Sequence, residues 1–142
     1  MRIIYGCTTC SSAKYKELEG KYNIKAGHAI QKYHSLLIKG FAKNGVEVRC
    51  ISGLPINRAV TSRKLIREKD EQEGNAYFHY ITTINLPGLR QLMIFFGTFF
   101  GVLRAKKDKD TYAICDCLNI ANAYGMTLAA RMRKIPVVSI VT

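Results

Sequence analysis

The chain has 142 residues, 48% hydrophobic and 23% charged. That suits one domain with a packed core and excludes a disordered chain. Lys and Arg number 22 against 10 Asp and Glu, a formal net charge of +12, so the expected partners are anionic: a phosphorylated small molecule, a lipid surface or a nucleic acid.

Met1 leads straight into Arg2-Ile3-Ile4-Tyr5, a strand-like run, so no secretory leader is expected. Segment 7–27 reads as a long loop of Cys, Ser, Thr, Lys, Gly and Tyr. The spacing of Ile30, Tyr33 or His34, Leu37 and Phe41 predicts a helix over 28–43, stopped by Asn44-Gly45. A second strand follows over 46–52, then a short polar helix over 61–73 and a third strand over 76–82. Segment 89–106 reads as a strongly apolar helix. Strands over 111–116 and 137–141 flank a last helix over 119–133, which Pro136 follows closely.

Alternating strands and helices predict an α/β domain with a parallel five-stranded sheet, doubly wound by right-handed crossovers. The expected strand order is 3-2-1-4-5, with a ligand crevice where strands 1 and 4 diverge. A chain that stops on its fifth strand leaves an uncovered edge, so it is expected to be the front part of a longer protein.

Cysteines 7, 10, 50, 115 and 117 are an odd set. They are expected to be reduced, small and apolar rather than a disulfide framework. A metal or redox site would need Cys7, Cys10, Cys115 and Cys117 to converge, which the sequence leaves open. No metal and no cofactor is expected. No glycine fingerprint for dinucleotides or nucleoside triphosphates follows the first strand. The loop before the second element does place Gly27 and His28 at a helix start, where free N–H groups suit a phosphate; Gly20 is a looser candidate. His34, mid-helix, is expected to face the core, and His79 is read as structural. Asn85, Asp116 and Asn119 follow strands 3 and 4 at the crevice, and Asn119 also suits a helix cap.

The helix over 89–106 is apolar nearly all round. Its Phe95, Phe96, Phe99 and Phe100, with Arg90, Arg104, Lys106 and Lys107 flanking them, suit an anionic membrane or another domain. The positive charges otherwise lie scattered, without a zinc finger or recognition helix, so no nucleic acid is expected.

Two passages carry a family resemblance. One runs from His28-Ala29-Ile30-Gln31-Lys32-Tyr33-His34 through Gly40-Phe41-Ala42-Lys43-Asn44-Gly45 to Glu47-Val48-Arg49-Cys50-Ile51-Ser52. The other runs from Met126 to Thr142 and contains Lys134-Ile135-Pro136-Val137-Val138. They resemble the N-terminal domain of retaining glycosyltransferases built from two Rossmann-like domains, the GT-B arrangement, in the group called family 4.

The resemblance implies transfer of a sugar from a nucleotide-sugar to a saccharide or lipid-linked acceptor in cell-envelope glycan synthesis. It also implies an acceptor-side role for this domain. A second domain, expected to be absent from this sequence, would bind the nucleotide-sugar, and the present chain would be inactive alone. Gly27 would then face the donor diphosphate. The implied place is the cytoplasm, peripheral on the inner face of the membrane. No catalytic residue is named. The rival reading is a non-enzymatic Rossmann-like module that binds a membrane or a partner protein.

Overall fold

The computed structural model describes residues 1–22 and 29–141. The order of elements is β1 (Arg2–Cys7), α1 (Ser12–Tyr22), α2 (Ala29–Lys43), β2 (Glu47–Gly53), β3 (Leu65–Ile66), β4 (Glu71–Glu73), β5 (Ala76–Ile81), β6 (Thr83–Ile84), α3 (Leu89–Arg104), β7 (Thr111–Asp116), α4 (Ile120–Met132) and β8 (Val137–Ile140).

The fold is α/β, with a mostly parallel mixed sheet ordered β4-β5-β2-β1-β7-β8 and a small antiparallel β3-β6 pair. The central strands are apolar on both faces because both faces are covered. Ile3, Tyr5, Val48, Cys50, Phe78 and Tyr80 enter one core with Leu18 of α1 and Ile38 of α2. Ile4, Ile51, Ile81 and Ala113 enter the other with Ile94 and Val102 of α3 and Met126 and Ala129 of α4. Successive residues of a strand point to opposite faces, so Ile3 and Ile4 serve different cores.

Three expectations are corrected. The sheet has six strands, not five, and is not wholly parallel, because β4 pairs antiparallel with β5 at the edge. The expected helix over 61–73 is absent. Its chain instead forms β3 and β4, and Gly74, in the left-handed region at φ 59°, turns β4 back onto β5. The expected loop over 7–27 contains α1. Ser11 caps that helix by accepting the Lys14 N–H at 3.0 Å.

The exchange of one helix for another has an ionic cause. Lys14 of α1 is buried, and its Nζ lies 2.7 Å from Glu17, 3.1 Å from Glu68 and 3.5 Å from Glu71. Ser11 Oγ also donates to Glu71, and the Ser12 N–H donates to Glu73 Oε2 at 3.2 Å. Glu68, Glu71 and Glu73 therefore turn toward α1 instead of lining a solvated helix, while Asp70 turns to His79 of β5.

On the other face, α3 and α4 touch at a glycine. A Cβ on Gly125 would sit 2.5 Å from the Phe95 carbonyl oxygen. Gly125→Ala is expected to cost about 2 kcal/mol by forcing the helices apart, read as a lower urea midpoint with an unchanged slope. An unchanged midpoint would show that the helix pair separates freely.

Candidate functional site

β1 and β7 are adjacent and parallel, and the helices that follow them, α1 and α4, pack into the cores on opposite faces of the sheet. A crevice of about 700 Å³ opens at their carboxyl ends. Its described lining is Thr8 after β1, Ile30 and Gln31 of α2, Gln91 of α3, and the turn from β7 into α4: Asp116, Leu118, Asn119, Ile120 and Ala121.

Short-range chemistry shapes the β7–α4 turn. Asp116 Oδ1 accepts the Leu118 N–H at 3.0 Å, which bends the chain as an Asx turn. Asn119 caps α4 by accepting the Asn122 N–H at 3.2 Å, and its own Nδ2 donates to Thr8 Oγ1 at 2.8 Å. That bond joins the two loops across the switch between β1 and β7. Beneath it Asn122 is fully buried, its Nδ2 reaching the Ile51 carbonyl at 3.4 Å. Only a glycine at position 6 leaves room for Asn122 and Met126 over β1.

Asp116 ends a buried chain of polar groups. Tyr5 Oη lies 2.7 Å from His34 Nδ1, and His34 Nε2 faces Asp116 Oδ2 at 3.2 Å without an aligned hydrogen bond. All three residues are buried. Burial pushes the Tyr5 hydroxyl far above its ordinary range, so it keeps its proton and donates to His34. Burial lowers the His34 pKa, and the Asp116 carboxylate opposes this shift only in part. The neutral ring therefore accepts at Nδ1 and carries its proton on Nε2, toward Asp116. The arrangement fixes the Asp116 side chain at the floor of the crevice.

The crevice thus offers a carboxylate, a hydroxyl and amides among apolar side chains. Among its described lining residues none is cationic. A hydroxyl-bearing ligand finds hydrogen-bond partners here, whereas a diphosphate finds no counter-charge among the described lining residues. Neither a nucleophile–base pair nor a group of three or more metal-ligating side chains occurs among the described residues that line it.

The sequence candidates separate in space. Asp116 and Asn119 both line the crevice. Asn85 does not: it is buried, and its Nδ2 donates to the Thr61 and Arg63 carbonyls at 3.2 Å each, which anchors the 61–64 loop. Gly27 and His28 lie outside the described residues. The crevice residues Thr8, Gln31 and Gln91 went unread. Thr8 directly follows a strand and had a local signal, but Gln91 reaches the crevice only through the packing of α3.

Arg90 turns inward, half-buried, and donates to the Leu54 carbonyl at 2.9 Å, so it does not belong to an outer contact surface. Phe95 and Phe99 are half-buried, while Phe96, Phe100, Arg104, Lys106 and Lys107 are exposed. His34 faces the core, and His79 pairs with Asp70 at 2.9 Å. The cysteines do not converge. Cys7 contacts Cys50 at 3.7 Å in one core, whereas Cys115 contacts Ser139 at 3.4 Å on the opposite face. Among the described residues no helix is long and apolar enough to cross a membrane. No protein-family model, curated protein or solved structure matches the chain.

Proposed function

We propose that the chain is the acceptor-side, Rossmann-like domain of a retaining glycosyltransferase that uses a nucleotide-sugar. The observation that carries this reading is the crevice between β1 and β7, with Asp116 held at its floor and no cation among its described lining residues. Doubly wound domains bind ligands at this position. A carboxylate with hydroxyl and amide neighbours suits the hydroxyls of a saccharide or of a lipid-linked glycan. The donor diphosphate needs positive charge or helix N-termini, and in this reading a second domain or subunit supplies them. Asp116 accepts a hydrogen bond from the acceptor hydroxyl and orients it, while Asn119 and Gln91 hold the neighbouring hydroxyls.

The test is sugar transfer by the protein made from its natural gene, assayed with a panel of labelled nucleotide-sugars and envelope lipid or saccharide acceptors. Asn119→Ser keeps a capping oxygen but loses the amide that spans to Thr8. It is expected to lower kcat/KM about tenfold, or roughly 1.4 kcal/mol, while leaving the melting temperature nearly unchanged. Gln91→Ala is expected to act in the same direction. Absence of transfer across the panel, with stable protein binding that ignores nucleotide-sugars, would decide for the non-enzymatic module.

A further inference from the structure

We propose that the outer face of α3 and α4 docks on the interfacial region of a bilayer that contains anionic lipids. This proposal is independent of what the crevice binds.

The two helices lie side by side. Phe95 stacks on Tyr124 with ring centroids 5.7 Å apart. At the other end, Arg133 Nη1 donates to the Val102 and Ala105 carbonyls at 2.6 Å each, which brings the two carboxyl ends together. A surface helix ordinarily shows water its polar side. Here each helix shows an apolar stripe. On α3 it is Leu89, Leu92, Phe96 and Phe100; on α4 it is Ile120, Tyr124, Leu128 and Met132. Phe96 and Phe100 are 46% exposed, Tyr124 and Met132 64%, and Ile120 79%. The Phe95–Tyr124 stack joins the two helices, and the two stripes together expose large apolar side chains that a monomeric domain in water rarely leaves open.

The charge around this surface selects the occupant. No Asp or Glu occurs from Gly74 to Lys107, and none follows Asp116. Arg104, Lys106, Lys107, Arg131 and Lys134 are exposed at or just beyond the carboxyl ends of the two helices. Asp116 is buried at the crevice beside Ile120, and Asp108, on the loop into β7, is taken up by Arg2 at 2.8 Å. A second copy of the same face would bring like charges together.

An anionic leaflet satisfies both features at once. The aromatic and aliphatic stripes enter the acyl boundary, and the basic side chains reach the headgroups. Arg104 already lies over the Phe100 ring, 5.9 Å from its centroid, so cation and aromatic group sit at one depth, as in an interfacial anchor. Ile120 belongs to this face and also lines the crevice, so the docked domain opens its crevice beside the leaflet.

The chain has no tryptophan, which makes Phe100→Trp a single fluorescent reporter on the face. With vesicles of phosphatidylcholine and about one-third phosphatidylglycerol, at about 0.05 M salt, its emission is expected to shift to the blue. The unsubstituted chain should sediment with those vesicles at least about tenfold better than with phosphatidylcholine alone or at about 0.5 M salt. The double variant Phe96→Ser/Phe100→Ser and, from the other helix, Leu128→Glu/Met132→Glu should each lose about tenfold in binding. Circular dichroism should remain native for both. Indifference of the unsubstituted chain to anionic vesicles overturns the proposal. So does equal binding by a folded double variant, which would move the contact elsewhere. A dimer that both variants dissolve and anionic vesicles leave intact would assign the face to a second copy instead, and would also overturn it.

Discussion

His34→Ala is expected to remove about 3 to 5 kcal/mol of stability, a large part of the roughly 5 to 15 kcal/mol that holds an ordinary domain together. Three effects add in the same direction. The imidazole is fully buried between β1, α2 and the end of β7, so its loss leaves a cavity. The Tyr5 hydroxyl loses its partner at 2.7 Å. The Asp116 carboxylate loses the N–H that faces it in a buried site. Tyr5→Phe removes only the hydroxyl and is expected to cost about 1 kcal/mol. Urea unfolding at pH 7 measures both. Equal, small losses would mean that the three groups do not act as a unit.

The same ring sets a pH dependence. The folded-state pKa of His34 is lowered by burial. The unfolded chain therefore binds a proton that the folded chain refuses, once the pH drops below the ordinary histidine value of about 6.5. Its contribution is complete above that pH. It is lost as the pH falls toward the lowered folded value, with a slope of at most about 1.4 kcal/mol per pH unit. Glu17, Glu47 and Asp70 also have lowered pKa values, but their losses begin only below the ordinary carboxylate range of about 4. His34→Gln should flatten the curve between about pH 6.5 and 5 and leave the acid limb. A curve unchanged in that window would place the titration elsewhere.

Lys14→Met is expected to cost about 3 kcal/mol at pH 7, because it leaves Glu17, Glu68 and Glu71 gathered around an uncharged side chain. Methionine nearly conserves the volume, so the loss reports charge rather than packing. Burial works against the Lys14 charge, but the hydrogen bonds to Glu17 and Glu68 outweigh it, and its pKa is raised. That contribution is constant below the ordinary lysine pKa of about 10.4 and is lost only as the pH rises through the raised value. The segment over 61–73 should also become sensitive to proteases, since Lys14 ties it to α1. A variant as stable and as resistant as the parent would show that the cluster is only a solvated surface feature.

Where each element could be read depended on how local its signal is. The helix α2 and the strands β1, β2, β5, β7 and β8 carry apolar patterns within single windows, and Asn44-Gly45 and Pro136 punctuate them. The helix α1 was legible in principle from Ser11 as a cap and from Tyr15, Leu18 and Tyr22 on one face, but its polar composition hid it. Segment 61–73 was not legible. Its balanced charges suit a solvated helix, and the ion pairs with buried Lys14, some fifty residues earlier, turn Glu68 and Glu71 inward.

The candidate site divides in the same way. Asp116 and Asn119 were readable because any strand that ends on an Asp and leads to a capping Asn marks the carboxyl edge of such a sheet. Thr8, Gln31 and Gln91 join them from three other elements, and that meeting is a property of the packed chain alone. The sequence by itself determined the α/β layering, the strong positive charge and the apolar character of α3, because composition and periodicity are local quantities. The tertiary structure decided which apolar residues of α3 and α4 stay in water, that Arg90 turns inward, and that the cysteines are parted by the sheet. Those outcomes depend on which face of an element meets a neighbour, and no single window of sequence contains the neighbour.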